Sequence, residues 1–448
     1  MKILHYSLGF PPYRSGGLTK FCMDLMQQQV QEGHDVAMIW PGQMNLISKK
    51  IRIAVRDKVV VKNHCIGSFE IINPLPVPFD EGIKNIKSFT INVAGEEYGR
   101  ILDDYKPDVI HIHTLMGLHK CFCEEVKSRN IRMVFTAHDF FPICPKVTMF
   151  RNGAVCNTFN SCTACADCND TALSMTKIKL LQSPTYRRLK DLAIVKKMRK
   201  SHRDRYLSET KEDTIAESEE SNKEYLKLRK YYYSLLEFMD TIHYNSSITK
   251  RVYESVFKLP NNCVINITHA DVVDKRRLKN YSNREIRIRY LGPQSSAKGF
   301  FILKEALDKL WTITHQFRLD VHFVPCIETP YIRSHERYTY KDLAQIFSET
   351  DILVAPSIGY ETFGYTVLEA LSYGVPVVIS GSVGAKDILE DGAGIVVESI
   401  TSDKLCKVLS ELTPAILKQM NRCIVEKQDI LEIADMSKRI EKECYLWN

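Results

Sequence analysis

Two carboxylates eight positions apart carry the strongest chemical signal in this sequence. Glu361 stands in the loop Pro356-Ser357-Ile358-Gly359-Tyr360-Glu361-Thr362-Phe363-Gly364, after a run that reads as a buried strand ending at Ala355. Glu369 lies about one turn into a helix that opens near Tyr365. A helix N-terminus offers free amides and the positive end of a dipole, which suits a diphosphate. Gly364 lets the backbone approach a ligand closely. From these positions Glu361 can reach a sugar's hydroxyls and Glu369 the two hydroxyls of a ribose. The plainer alternative for Glu369 is a cap or an ion pair within its own helix.

Three further positions fit the same chemistry. Lys298, in Tyr290-Leu291-Gly292-Pro293-Gln294-Ser295-Ser296-Ala297-Lys298-Gly299, follows a strand and can neutralise a departing diphosphate. His138, in Thr136-Ala137-His138-Asp139, ends another strand and can bond a sugar hydroxyl or support charge developing at an anomeric carbon. Gly16 and Gly17, between the first strand and the first helix, let backbone amides approach a phosphate or sugar. A dinucleotide fingerprint G-x-G-x-x-G is absent from that loop.

The elements that must hold these loops alternate between short β-branched runs and amphipathic stretches, the signature of parallel α/β layers. The expected strands of the first half are Lys2–Ser7, Asp35–Ile39, Val109–His113, Met133–Thr136 and Thr241–Tyr244, with helices at Leu18–Gln31 and Phe122–Arg129. A second alternation starts near Ile286, with strands Ile286–Leu291, Leu319–Val324, Ile352–Ala355, Val375–Ile379 and Gly394–Val397. Its helices are expected at Gly299–Trp311, Tyr340–Glu349, Thr366–Ser372 and Ala385–Glu390. Ligands in such sheets bind beyond the carboxyl ends of the strands, where every candidate residue falls.

Glu361 and Glu369, with Phe363-Gly364 after the first and Gly374-Val375-Pro376-Val377-Val378 after the second, resemble the family-4 group of retaining, GT-B-fold glycosyltransferases. The resemblance implies two Rossmann-like doubly wound domains facing a cleft, a nucleotide-diphosphate sugar as donor, and no catalytic metal. It places Glu361, Lys298 and His138 at the reacting sugar, and Gly16, Gly17, Phe363, Gly364 and Glu369 around the donor. One departure stands out. The family usually has an arginine directly after the first glycine of the lysine loop, and Pro293 occupies that position.

Domains are expected at 1–255 on the acceptor side and 256–425 on the nucleotide side, with 426–448 crossing back to the first. Residues 171–236 break the alternation and read as a charged helical insertion. Between Lys177 and Arg205 eleven Lys and Arg face two acidic residues, and an acidic stretch follows from Glu209 to Glu224. Either the two blocks neutralise each other in solvent, or the basic one rests on anionic lipid headgroups. The net charge of +7 on 448 residues does not argue for nucleic acid. No apolar run reaches the ~18 residues of a membrane span, and Met1–Phe10 is too short and polar for a secretory signal, so a cytoplasmic protein is expected.

Of the 14 cysteines, Cys22, Cys263, Cys326 and Cys406 read as core residues. Cys144, Cys156, Cys162, Cys165 and Cys168 form a cluster in which two C-x-x-C steps have chelating geometry. The expected set for a structural zinc is Cys144, Cys156, Cys162 and Cys165, with Cys168 as substitute; an iron–sulfur cluster or unliganded thiols are the alternatives.

Taken together, the sequence reads as a retaining hexosyl- or N-acetylhexosaminyltransferase that acts on a saccharide or lipid-linked acceptor in cell-surface polysaccharide synthesis. The alternatives are a non-catalytic sugar-nucleotide-binding scaffold and a GT-B-fold sugar-nucleotide epimerase.

Overall fold

The computed structural model describes the whole chain except residues 46–47, 62–63, 190–191, 193–218, 260, 282–284, 325–326 and 447–448. Most of the basic block, the start of the acidic one, and Cys326 lie outside the described residues.

The first sheet is built from β1 (Lys2–Tyr6), β2 (Asp35–Pro41), β3 (Arg52–Val61), β4 (His64–Ile72), β5 (Val109–Ile112) and β6 (Arg132–Ala137). A small hairpin of β7 (Phe150–Arg151) and β8 (Ala154–Val155) stands apart, and the sheet resumes with β9 (Thr241–Tyr244) and β10 (Asn262–Val264). The spatial order is β10-β9-β6-β5-β1-β2-β4-β3, parallel except for β3 against β4. The sheet therefore extends to Val264, past the expected boundary at 255. The second sheet comprises β11 (Ile286–Tyr290), β12 (Phe317–Val321), β13 (Ile332–Ser334), β14 (Ile352–Ala355), β15 (Val377–Ser380) and β16 (Gly394–Val397). Its order is β13-β12-β11-β14-β15-β16, all parallel.

Each order reverses direction once near its middle. β1 lies between β2 and β5, and β11 lies between β12 and β14. At such a reversal the loops after neighbouring strands run to opposite faces and leave a crevice. The Lys298 loop follows β11 and the Glu361 loop follows β14, so chain topology alone makes them neighbours.

One apolar cluster runs across both domains. It joins Ile3, Phe21 and Val109 of the first to Phe363, Val367 and Leu371 of the second, together with Met436, Ile440 and Tyr445 from the C-terminal segment. The helix Ile433–Ile440 packs beside the helix Gly17–Gln31 of the first domain. Beyond it, the Arg132 guanidinium donates to the Cys444 carbonyl at 2.6 Å.

The stretch 171–236, expected as a charged helical insertion, also contributes to the first domain's core. The helix Glu219–Leu236 buries Tyr225, Leu228, Tyr232, Leu235 and Leu236 in the first domain's core. Their spacing of three or four residues is one face of a helix, which the charged residues between them obscure in the sequence. Arg187, counted in the basic block, also turns inward: it pairs with Glu70 at 2.8 Å and lies over the rings of Tyr13 and Trp40. The expected helix at Ala385–Glu390 is a short 3₁₀ turn over Gly384–Ile388.

Candidate functional site

The two loops at the crevice of the second sheet are laced together by backbone bonds. The amides of Ile358 and Gly359 both donate to the Ala297 carbonyl at 3.0 Å. Gly299 adopts φ 74° and starts the helix Phe300–Trp311; a Cβ there would stand 1.9 Å from the Pro356 carbonyl oxygen. Glycine is thus required for the loop that presents Lys298 to pass the loop that presents Glu361. Gly364, at φ 107°, plays the same part at the start of the helix Tyr365–Ser372, where a Cβ would meet Val383 at 2.9 Å.

These constraints bring Lys298 and Glu361 into contact, with Nζ 2.9 Å from Oε1. The Ser357 hydroxyl donates to the same oxygen. Burial alone would raise the Glu361 carboxyl, but the Lys298 charge and the two hydrogen bonds outweigh it and hold it below the ordinary glutamate value. The Glu361 backbone is anchored as well, its amide on the Ser382 carbonyl (2.9 Å) and its carbonyl on the Gly384 amide (3.0 Å).

A cavity of about 460 Å³ opens between the domains, lined by Lys298, Glu361, Phe363 and Gly364 on one side and by Gly17, His138 and Asp139 on the other. The first turn of the helix Tyr365–Ser372 borders it through Tyr365 and Thr366. The domains touch at its edge, where Thr362 donates its hydroxyl to the His138 carbonyl at 2.9 Å. Gly17 lies against the Tyr365 ring; a Cβ would sit 3.4 Å from it.

Lys298 is the one Lys or Arg among the described residues that line this cavity. Pro293 lines it too, and its carbonyl accepts from the Tyr290 hydroxyl at 2.7 Å. The charge the family supplies at that position therefore has no substitute in the described wall. The positive end of the helix Tyr365–Ser372 remains beside Lys298 for an anionic ligand.

His138 packs its ring edge-on against Phe21, with centroids 4.6 Å apart, and its Nε2 lies 3.3 Å from Nδ1 of His113. Burial lowers its pKa to about 3, so the ring is neutral at physiological pH. Asp139, quoted in the sequence only as part of a motif, also lines the cavity. Burial pushes its carboxyl up to about 6, offset in part by the bond it accepts from the Phe141 amide. A carboxyl that titrates near neutrality in a cleft is suited to carry a proton.

Two expected site residues stand back from the cavity. Gly16, at φ 112°, only starts the helix Gly17–Gln31 and does not line the wall. Glu369 lies deeper than its place beside a ribose suggests. Its side chain is 6% exposed, and its Oε1 is 3.0 Å from Nε2 of His269, which comes from the segment joining the domains. The Asp271 amide faces His269 Nδ1 at 3.3 Å, so Nε2 carries the proton and donates to Glu369. Asp24, His269 and Asp271 form a group of the kind that can hold a cation, but Lys20 already sits between the two aspartates.

The cysteine cluster differs from its expected form. Among the described residues, the groups whose ligand atoms converge within 4.8 Å contain histidines and carboxylates, and no cysteine. No three of the sulfurs of Cys144, Cys156, Cys162, Cys165 and Cys168 lie within 4.8 Å of one another, although Cys144, Cys156, Cys165 and Cys168 line one small cavity. Cys162 and Cys165 pair with each other; the Cys165 hydrogen bond, then the charge of Arg229, lowers the Cys162 thiol. Arg229 ties the loop instead, donating to the carbonyls of Ile143 (3.1 Å) and Asn160 (3.2 Å). Cys22 and Cys406 are buried as expected, whereas Cys263 is half-buried, with its sulfur 3.5 Å from that of Cys444.

Comparison with known proteins follows the same division. Residues 15–160 match the family described as Glycosyltransferase Family 4, and residues 290–413 match Glycosyl transferases group 1. A sucrose-phosphate synthase from Thermosynechococcus elongatus shares the fold with a TM-score of 0.56 at 13% identity, over 98% of this chain and 97% of that one. HepE from Anabaena, in complex with UDP, gives 0.55 at 13% identity over 99% of both chains. An uncharacterized 42.6 kDa protein in the cps region of Klebsiella pneumoniae is 22% identical over 156 residues, 34% of this chain. The match spans 41% of that relative's length.

Proposed function

We propose that this chain, a glycosyltransferase of the GT-B type, moves a hexose or N-acetylhexosamine from a nucleotide-diphosphate sugar to a saccharide or lipid-linked acceptor, with retention, in cell-surface polysaccharide synthesis. The observation that carries the reading is the Lys298–Glu361 pair beside the first turn of the helix Tyr365–Ser372, facing His138 across the cavity. A diphosphate would take Lys298 and the helix amides, the two positive features of that wall. Its sugar would then lie between Glu361 and His138. Among the described residues of the cavity no side chain stands out as a nucleophile that would form a covalent intermediate; Glu361 is engaged with Lys298 and Ser357 and is read as binding sugar hydroxyls. The leaving diphosphate would assist the acceptor.

A nucleotide donor is supported by structural neighbours in complex with UDP and with UDP-glucose. Polysaccharide synthesis is supported by the relative in a cps region. No described helix is long and apolar enough to cross a membrane; contact with anionic lipid rests on the basic stretch 177–205 and is part of the proposal. A second reading, donor binding without transfer, draws support from Pro293 and the missing charge. Purified protein screened by thermal shift against UDP, GDP, ADP and their sugar conjugates, followed by transfer assays with Glu361→Ala, separates the two. Transfer lost with nucleotide binding kept supports the enzyme. Nucleotide binding without any turnover in the unmodified protein supports the second reading.

A further inference from the structure

His138 is the cleft end of a continuous line of buried hydrogen bonds that crosses the first sheet and reaches the C-terminal segment. The far end is the Ile265 carbonyl, 2.8 Å from Nε2 of His243. His243 Nδ1 lies 2.8 Å from the Thr136 hydroxyl, which is 2.7 Å from Nε2 of His111. His111 Nδ1 meets the Tyr445 hydroxyl at 2.7 Å, and Gln29 donates to that hydroxyl at 2.9 Å. The Gln29 carbonyl faces His5 Nε2 at 2.8 Å, and His5 Nδ1 faces His113 Nε2 at 2.9 Å. His113 Nδ1 then meets His138 Nε2 at 3.3 Å.

The direction of this line is fixed at one end. A carbonyl oxygen only accepts, so the proton of neutral His243 must be on Nε2. Its Nδ1 then accepts from Thr136, whose oxygen must accept from His111 Nε2–H. Followed through Tyr445, Gln29, His5 and His113, each group has one remaining choice. Reversing the Gln29 amide would reverse everything as far as His243, where it would leave a lone pair against a carbonyl. Burial supports the single-proton bookkeeping: it lowers His5 and His243 to about 4, and His111 and His113 well below the ordinary histidine value.

We infer that the Ile265 carbonyl, acting through this line, fixes His138 as the Nε2–H tautomer and so leaves Nδ1 as a bare acceptor for a hydroxyl group in the cleft. Nδ1 has no partner among the described residues, although His138 lines the cavity. The inference rests on the proposed site only for the nature of that hydroxyl, which belongs to the donor sugar or the acceptor. Thr136, Tyr445 and His243 are positioning residues here: they act on the ligand through His138. The line also explains four fully buried histidine rings in one small region, which a sheet interior would otherwise disfavour. His5, His111 and His113 approach closely enough to suggest a cation site, but every ring nitrogen of the three already has its partner in the line.

The test is the imidazole nitrogen spectrum of ¹⁵N-histidine-labelled full-length protein without ligand, with His138 assigned by its loss in His138→Gln. The unmodified chain is expected to show His138 protonated at Nε2 and unprotonated at Nδ1. Thr136→Val and Tyr445→Phe cut the line without removing bulk, and should move both nitrogens toward the average of the two tautomers. Thr136→Ser restores the hydroxyl and should restore the original pattern. Nδ1–H in the unmodified chain, or a pattern unchanged in both cut variants, overturns the inference. Because the spectrum needs neither donor nor turnover, its outcome is independent of whether the protein transfers sugar.

Discussion

Lys298 and Glu361, on loops that follow different strands, meet at 2.9 Å through a single carboxylate oxygen. The lysine keeps the Glu361 carboxyl ionised, and a diphosphate would have to share or take the lysine. Replacing Lys298 by Met should lower transfer about 10²–10³-fold, the usual cost of removing one preorganised stabiliser of developing charge. Without the lysine, burial is no longer offset and the Glu361 carboxyl rises. Its folded pKa is depressed in the unmodified chain, so its contribution to stability is present at neutral pH and lost as pH falls through that value. In Lys298→Met that acid-side loss should shrink, and where burial carries the carboxyl above its unfolded value stability should instead fall as pH rises through it. Urea melts from pH 3 to 8 read this, and superimposable profiles would refute it.

Asp139 gives the opposite sign. Its carboxyl is raised by burial to about 6 in the folded protein. The stability it contributes is therefore complete below the unfolded value near 4 and lost as pH rises to 6 and above. Asp139→Asn keeps an acceptor for the Phe141 amide and removes the titration. At pH 8 the variant should be more stable by on the order of 2 kcal/mol, and at pH 4 equal. If Asp139 also moves a proton in turnover, the same variant loses its activity on both sides of pH 6.

Glu369 is held from behind by His269, and that contact makes a graded prediction. Gln at 269 can still donate one hydrogen bond to the carboxylate, whereas Ala cannot. Nucleotide affinity, measured by calorimetry with whichever nucleotide shifts the melting temperature, should stay within about threefold in His269→Gln and fall about tenfold in His269→Ala, the ~1.4 kcal/mol typical of one hydrogen bond to a charged group. Equal affinity in both variants would remove Glu369 from the donor site.

How much could be read beforehand depended on whether the signal was local. The strands Ile352–Ala355 and Thr241–Tyr244 are legible because short β-branched runs bury both faces of a parallel strand, and Gly394–Val397 because its valines persist even at the half-exposed edge of the sheet. β3 was not, since Arg52–Val61 carries Arg52, Arg56, Asp57 and Lys58 on an antiparallel edge. The Lys298 and Glu361 loops were identified from residue types and adjoining strands, and topology then places them together. The His138 line was beyond reach: Tyr445 lies 334 residues from His111, and no spacing reports that contact. The cysteine cluster shows the converse, a local signal whose outcome depends on the wider loop. Its C-x-x-C steps permit chelation locally, while the wider loop sets how close the other sulfurs come, here around one small cavity with no three within 4.8 Å of one another.

Arg229 supplies the last prediction, because it lines the same small cavity as Cys144, Cys156, Cys165 and Cys168. The guanidinium is buried and donates to the Ile143 and Asn160 carbonyls, joining the start of the cysteine loop to its middle. Arg229→Met preserves much of the stem's packing but leaves those carbonyls without their donor, at a cost of about 1–3 kcal/mol. The charge that helps hold the Cys162 thiol low is also removed, so Cys162 should react more slowly with iodoacetamide at pH 7. Dialysis of the unmodified protein against a strong chelator should leave its melting temperature within 1–2 °C, since the sulfurs do not converge on one centre. A larger fall, with zinc recovered in stoichiometric amount, would mean that the thiols rearrange around an ion and that the loop is tied by metal as well as by Arg229.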